Sequence, residues 1–317
     1  MSAERNPGSV PKEDRSGLLA GVAAFATWGI IPGYWKLFIT ISASEILAHR
    51  FVWTTGFLVG LLSWQHRWPE VRDAIRSRRA LFYCLASGTA ISVNWFCFIW
   101  AVNVGRVLET SLGYFMTPLM NVLFGAVFLR ERLTRLQFIS VLLALVGVLN
   151  LTFGYGRLPW LALTLCVSFG LYGLLRKKSG VRPIPGLFLE TTLLTPIAAG
   201  YLLYLQRGGS AALQSANWSM VLLLISTGIV TGLPLVWFGH AARHLRLTTL
   251  GFLQYLAPSC SFFLGVFWFH EPFTRAHLIT FSFIWIALAI FTIEAIWRWR
   301  AGRERDALAE PVAPAAH

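Results

Sequence analysis

Apolar residues along the chain fall into ten runs, near 17–37, 44–64, 80–102, 108–129, 136–153, 158–175, 186–205, 218–240, 248–269 and 277–297, separated by short polar or turn-rich segments. Their lengths lie near the ~20 residues an α-helix needs to cross a hydrocarbon core ~30 Å thick. Backbone N–H and C=O groups in lipid must be satisfied within the segment, so runs of this length read as helices. The pattern predicts an all-α polytopic membrane protein with ten transmembrane helices, spans 1 to 10. Composition agrees: 56% of the 317 residues are apolar and 13% charged, with a mean hydropathy of +0.61, whereas a soluble domain carries about 25% charged residues.

Charge changes the picture only through its placement. The net charge of +13 is large enough to suggest a nucleic-acid partner, but the Lys and Arg residues lie between the apolar runs and form no basic stripe. If the polar start of the chain is cytoplasmic, 21 Lys and Arg residues fall on that side and five on the other, with Arg50 inside span 2. The positive-inside bias then predicts both chain ends in the cytoplasm and no nucleic-acid partner. Residues 1–15 are polar and carry no secretory signal, and they are expected to be disordered, as is the tail over 301–317. Cys84, Cys97, Cys166 and Cys260 lie inside runs without C-x-x-C spacing, so neither a disulfide framework nor a metal site is expected.

The runs repeat. Leu129-Arg-Glu-Arg-Leu-Thr-Arg135 aligns with Phe269-His-Glu-Pro-Phe-Thr-Arg275 at an offset of 140, which also superposes Pro118 on Pro258. Residues 16–153 and 157–297 therefore read as two five-helix halves. Five is odd, so the second half must be inserted upside down. Inverted repeats are a transporter architecture whose substrate path runs between the repeats.

Ionisable residues inside spans are costly and usually face a cavity or a partner. Glu45, His49 and Trp53 in span 2 share one helical face, with Arg50 about 100° around from His49. A carboxylate, an imidazole and a guanidinium so close together suit binding of a zwitterionic or anionic solute, or a proton relay. They equally suit mutual pairing that only fixes packing. Span 4 carries Glu109, Gly113, Thr117, Asn121 and Gly125 at every fourth position, a stripe that lines a polar path or admits a close helix. Pro118 in span 4 frees the carbonyl of Tyr114, and Pro258 in span 9 that of Gln254, which suggests paired kinks. Glu190 in span 7 occupies the position equivalent to Glu45 at an offset of 145 and is the best lone candidate for a coupling or substrate-contacting carboxylate. Asn94 and Trp95 in span 3 carry amide and indole groups that need partners in lipid. No H-E-x-x-H, G-x-S-x-G or P-loop motif is present, so no enzyme activity and no cofactor are expected.

Several of these stretches resemble the EamA branch of the drug/metabolite transporter superfamily, and within it the RarD-like group. They are Glu45-Ile-Leu-Ala-His-Arg50, Asn94-Trp95, Glu109-Thr-Ser-Leu-Gly-Tyr-Phe115, Tyr172-Gly-Leu-Leu-Arg-Lys-Lys178, Leu189-Glu190 and Thr249-Leu-Gly-Phe-Leu-Gln-Tyr-Leu-Ala-Pro258. The resemblance implies two inverted five-helix repeats around a cavity shared by spans 1–4 and 6–9. Spans 5 and 10 would be peripheral and would supply any homodimer contact. It further implies a small-molecule substrate and alternating access in a bacterial cytoplasmic (inner) membrane, commonly as efflux. Candidate substrate or coupling residues are then Glu45, His49, Arg50, Asn94, Trp95, Glu109, Tyr114, Asn121, Glu190, Gln254 and Tyr255. Gly113, Pro118, Gly251 and Pro258 are the candidate hinges. An uncoupled facilitator or channel-like pore is the alternative on the same residues.

Overall fold

The computed structural model describes residues 15–130, 133–156, 158–215, 217–245, 249 and 253–309, and every regular element among them is helical. The helices are α1 (Arg15–Trp35), α2 (Ala43–Trp64), α3 (Trp68–Arg76), α4 (Arg78–Asn103), α5 (Val107–Leu129) and α6 (Arg135–Tyr155). They continue with α7 (Trp160–Ser179), α8 (Pro183–Arg207), α9 (Ala212–Ser215), α10 (Trp218–His244), α11 (Leu256–Phe263) and α12 (Arg275–Ala309). Their starts follow local chemistry. Side chains of Ser42 and Asn217 accept from the backbone N–H groups of Glu45 and Met220, and Thr134 with Gln137 forms a capping box at the start of α6. Pro183 sits in the first turn of α8, where its missing N–H costs nothing. Gly156 ends α6 with a φ of 67°, a conformation open to glycine.

Among the described residues, eight helices are long and apolar enough to cross a membrane: α1 with its short 3-10 extension to Phe38, α2, α4, α5, α6, α8, α10 and α12. The other two expected spans differ from the apolar pattern. Span 6 is the 20-residue α7, whose last turn carries Arg176, Lys177 and Lys178. Among the described residues of span 9, expected over 248–269, Thr249 and Leu253 are helical, a turn follows at Gln254 and Tyr255, and the eight-residue α11 continues into a π-helical turn over Leu264–Trp268. Two polar segments are helical as well. The basic 65–79 loop folds into α3, and α12 continues to Ala309 instead of ending near 297. Ala, Glu, Arg and Leu, the strongest helix formers, dominate that extension.

Two compact units emerge, and each draws on both halves of the chain. The first joins residues up to Thr117 with Trp160–Pro272; the second joins Pro118–Pro159 with the segment from Phe273 onward. In the second unit α6 lies against α12. Asn150 Nδ2 donates to the Ala276 carbonyl and the Thr280 hydroxyl (both 3.1 Å), and Thr280 donates to the Gly147 carbonyl (2.9 Å).

In the first unit α4 packs on α7, α1 on α10, and α2 on both α8 and α10. Polar stitches join them: Thr55 with Thr195 (2.9 Å), Tyr34 to the Leu223 carbonyl (3.0 Å), and Ser261 to the Gly29 carbonyl (3.0 Å). The core at one end of the unit gathers Trp35, Phe38, Ile46, Ile99, Val102, Leu161, Leu165 and Leu224. Close approach sets the helix spacing. A Cβ on Gly113 would stand 2.8 Å from the Ala162 carbonyl oxygen, and one on Gly228 would strike the Trp53 carbonyl. Small residues at such contacts let membrane helices meet backbone to backbone.

Candidate functional site

Two buried ionisable centres lie inside the first unit. The first is Arg50 on α2, 6% exposed. Its guanidinium lies 3.7 Å from the centroid of the Trp95 indole on α4 and 5.2 Å from that of Trp35 on α1. Its Nε is buried without a hydrogen-bond partner, as is the indole Nε1 of Trp35. The hydroxyls of Tyr34 and Tyr114 lie within electrostatic reach. Both are engaged elsewhere: Tyr34 donates to the Leu223 carbonyl and meets Ser226 (2.8 Å), while Tyr114 donates to Asn94 Oδ1 (2.8 Å). Stacking on an indole contributes about 2 kcal/mol when desolvated, whereas burying an ion without a counter-charge costs several. Arg50 is therefore held in an incomplete environment.

The span 2 cluster expected from spacing does not form as a unit. Glu45, also buried, turns away from Arg50, and its Oε1 accepts from the backbone N–H of Ala212 at the start of α9 (2.6 Å). His49 is buried with Nε2 unpartnered. The mutual pairing of Glu45 with Arg50 that spacing allows is thus absent: Ala212, far away in sequence, takes the carboxylate.

The second centre is Glu190 on α8, fully buried. Ser87 on α4 donates to Oε1 (2.6 Å), Tyr172 on α7 donates to Oε2 (3.5 Å), and Arg176 Nε lies 3.4 Å from Oε1. The sequence reading assigned Arg176 to the basic loop after span 6. It instead sits one turn beyond Tyr172 and points back at Glu190. The missed signal was the continued face Phe169, Tyr172 and Arg176, spaced by three and four residues. A carboxylate held by one guanidinium and two hydroxyls can take up or release a proton with its partners already in place.

Asn94, fully buried on α4, stands between the centres. Its Nδ2 donates to the Leu165 carbonyl (2.9 Å) and the Ser168 hydroxyl (3.1 Å), while its Oδ1 receives the Tyr114 hydroxyl. Tyr114, Phe169 and Tyr172 then form a row of edge-to-face and tilted rings with centroids 5.9 Å apart at each step, ending on Glu190. The row leads from the neighbourhood of Arg50 to the carboxylate.

The remaining candidates lie elsewhere. Glu109 takes a bidentate bond from Arg106 (2.7 and 2.6 Å) at the start of α5. Asn121 is exposed on the part of α5 that belongs to the second unit, and Pro118 opens that part. Gly113 packs α5 against α7. Gln254 is exposed, and Tyr255 precedes α11 with its carbonyl accepting from Ser259. Pro258 sits in the first turn of α11, so the kink expected in mid-helix is replaced by a break at Gln254 and Tyr255. Gly251 lies outside the described residues. Sequence reasoning missed Glu271, whose carboxylate accepts from the backbone N–H groups of Val107 (2.6 Å) and Leu108 (2.7 Å) and so caps α5. Among the described residues no group of three or more His, Cys, Asp or Glu side chains could hold a metal ion.

A many-helix chain that keeps ionisable groups inside its bundle has the make-up of a membrane transporter, and relatives assign it to one class. The sequence matches the EamA-like transporter family over residues 15–153. The chain belongs to this family, a multi-pass membrane transporter of the drug/metabolite transporter superfamily. Within it the chain is RarD-like: it is 43% identical over 289 residues to Protein RarD of Salmonella typhi, covering 91% of this chain and 98% of that protein. It is 42% identical over 293 residues to the uncharacterized transporter YojE of Bacillus subtilis, covering 91% and 97%. A crystal structure resembles its fold with a TM-score of 0.57 at 20% identity, over 88% of this chain and 98% of the other.

Proposed function

We propose that the protein is a secondary transporter that moves small polar or amphipathic solutes outward across the bacterial cytoplasmic membrane by alternating access. In this reading ten helices cross the membrane as two inverted five-helix repeats, with both chain ends in the cytoplasm. The observation that carries it is the way helix contacts exchange between the halves. The inverted repeat equates α1, α2, α4 and α5 with α7, α8, α10 and α11. It turns the α4–α7 contact into α10–α1 and the α4–α8 contact into α10–α2, and all four occur. The glycines at two of these contacts obey the same exchange. Gly88 on α4 lies against the Glu190 backbone, and Gly228 on α10, 140 residues later, lies against the Trp53 backbone. Two halves related in this manner can rock about a shared site so that it opens to one side at a time.

Glu190 is the coupling group in this mechanism and Arg50 the solute-binding group. Glu190→Gln alone leaves the part-buried Arg176 without its counter-charge, so the double variant Glu190→Gln with Arg176→Gln is the cleaner test. A solute found by comparing metabolites of cells with and without the protein is loaded into proteoliposomes bearing an imposed pH gradient. Uphill movement in the wild type and its loss in the double variant are expected. Equilibration that ignores the gradient would instead make the protein an uncoupled facilitator.

A further inference from the structure

The chemistry around Arg50 narrows the solute. Every carboxylate that the first unit describes is already committed. Glu45 binds the Ala212 N–H, Glu70 binds Arg67 and Arg182, Asp73 meets Arg76, Glu109 binds Arg106, Glu190 binds Arg176, and Glu271 caps α5. Arg50 has neither a hydrogen bond nor an ion pair among the described residues, although it is more than nine-tenths buried. The groups placed near it are the indole rings of Trp95 and Trp35 and the hydroxyl oxygens of Tyr34 and Tyr114, whose protons are spent on other acceptors; the Trp35 Nε1–H is itself buried without a partner. π faces and neutral hydroxyl oxygens are present, and an anionic acceptor to match the guanidinium is missing.

Building on the transporter reading, we propose that Arg50 binds the carboxylate of a small organic anion with an apolar or aromatic body, and that Trp35 Nε1 is a second donor to the same group. The planar guanidinium fork matches a carboxylate bidentately and stacks on an aromatic ring at the same time. Its face on Trp95 fixes the plane in which the fork is offered. The ring row through Tyr114, Phe169 and Tyr172 supplies apolar surface for the body of the ligand. A zwitterion fits less well, because its ammonium finds no uncommitted carboxylate near Arg50. The site therefore separates organic acids from amino acids of the same size and shape.

Three matched probes test this on the purified full-length chain by isothermal titration calorimetry: hydrocinnamate, its neutral amide, and phenylalanine, which adds an ammonium to the same skeleton. Hydrocinnamate is expected to bind at least about tenfold more tightly than either of the others, the factor expected for a single hydrogen bond to a charged group. Arg50→Gln should abolish the preference, Arg50→Lys should restore part of it, and Trp35→Phe should weaken hydrocinnamate while sparing the amide. Equal affinity for the acid and the amide, tighter binding of phenylalanine, or hydrocinnamate binding unchanged in Arg50→Gln would overturn the proposal. So would a wild type that binds no hydrocinnamate. Should Arg50→Gln fail to fold, the acid-to-amide ratio in the wild type and in Trp35→Phe decides the matter. Hydrocinnamate that binds through Arg50 but crosses proteoliposomes no faster than empty vesicles leaves the site standing and sinks the transporter reading. Coupled transport of some other solute with no hydrocinnamate binding does the reverse.

Discussion

Asn94 should act as a joint whose removal changes the sign of a second substitution. Its side chain is fully buried and makes three hydrogen bonds, at 2.9, 3.1 and 2.8 Å, that tie α4 to α7 and α5. Interhelical hydrogen bonds in membrane proteins average about 0.6 kcal/mol and reach about 1.7. A buried donor left without its acceptor costs about 1–3 kcal/mol. Asn94→Leu removes all three bonds and strands the Tyr114 hydroxyl, so a loss of about 3 kcal/mol is expected. Tyr114→Phe removes one bond and should cost about 1 kcal/mol in the wild type. In the Asn94→Leu background the same change deletes a hydroxyl that has already lost its acceptor, so it should be neutral or stabilising. The coupling is therefore about 1 kcal/mol or more, above the roughly 0.5 kcal/mol by which independent sites deviate from additivity. Unfolding of the purified protein in mixed micelles of rising SDS fraction measures all four corners of the cycle. If Tyr114→Phe costs the same in both backgrounds, the bond does not contribute as drawn, and the link between the two ionisable centres fails with it.

Gly113→Ala should destabilise the protein by about 1–3 kcal/mol through overpacking, because its Cβ would meet the Ala162 carbonyl at 2.8 Å. Helix propensity alone predicts the opposite, a gain of about 1 kcal/mol, so the direction of the change decides between them. Glu271→Ala uncaps two backbone N–H groups of α5 and should cost about 2 kcal/mol of unfolding free energy. On α3, the hydrogen-bonded Arg67 guanidinium, with Arg182 beside it, holds the Glu70 carboxyl below its ordinary value of 4.5. Its contribution is therefore present above that value and lost as pH falls through the lower, folded-state value; wild type and Glu70→Gln should differ in stability near neutrality and converge in acid. Arg50→Met removes an unmatched buried charge at the cost of a stacking contact and should leave stability unchanged or raise it by up to about 2 kcal/mol; marked destabilisation would give Arg50 a structural role.

Most helices were legible because lipid leaves the backbone few options: an apolar run of sufficient length must satisfy its own N–H and C=O groups. The exception shows what apolar content does not encode. Run 248–269 is continuous in hydropathy, yet among its described residues the helix is broken by a turn at Gln254 and Tyr255 and turns π-helical at Leu264. Hydropathy measures partition into lipid and is blind to the path of the backbone. The candidate site was legible as a set of residues and illegible as a set of bonds. Spacing on α2 made Glu45 and Arg50 natural partners, but each is satisfied or left open by residues from other helices: Ala212 for the carboxylate, Trp95 and Trp35 for the guanidinium. Arg176 was hidden for a related reason, since a cation at a helix end is assigned to the loop unless a buried acceptor draws it inward.

The two centres treat charge in opposite ways, and that contrast bears on mechanism. Glu190 has its counter-charge and two hydroxyl donors supplied by the protein, so its environment is complete whether or not a solute is present. Arg50 is offered π faces and neutral hydroxyl oxygens but no anion, so in the proposed mechanism a solute from outside finishes it. A buried pair can respond to protons alone, whereas a buried lone cation responds chiefly to an anion, because binding lifts the cost of its burial. Occupancy at Arg50 would be felt along Tyr114, which shares its hydrogen bond with Asn94 and its ring contact with Phe169, and from there at Tyr172 on the Glu190 carboxylate. Coupling in a transporter requires that solute and proton bias the same conformational equilibrium. In the proposed mechanism, the ring row that starts at Tyr114, within electrostatic reach of Arg50, and ends with Tyr172 on the Glu190 carboxylate is a direct physical means of achieving that.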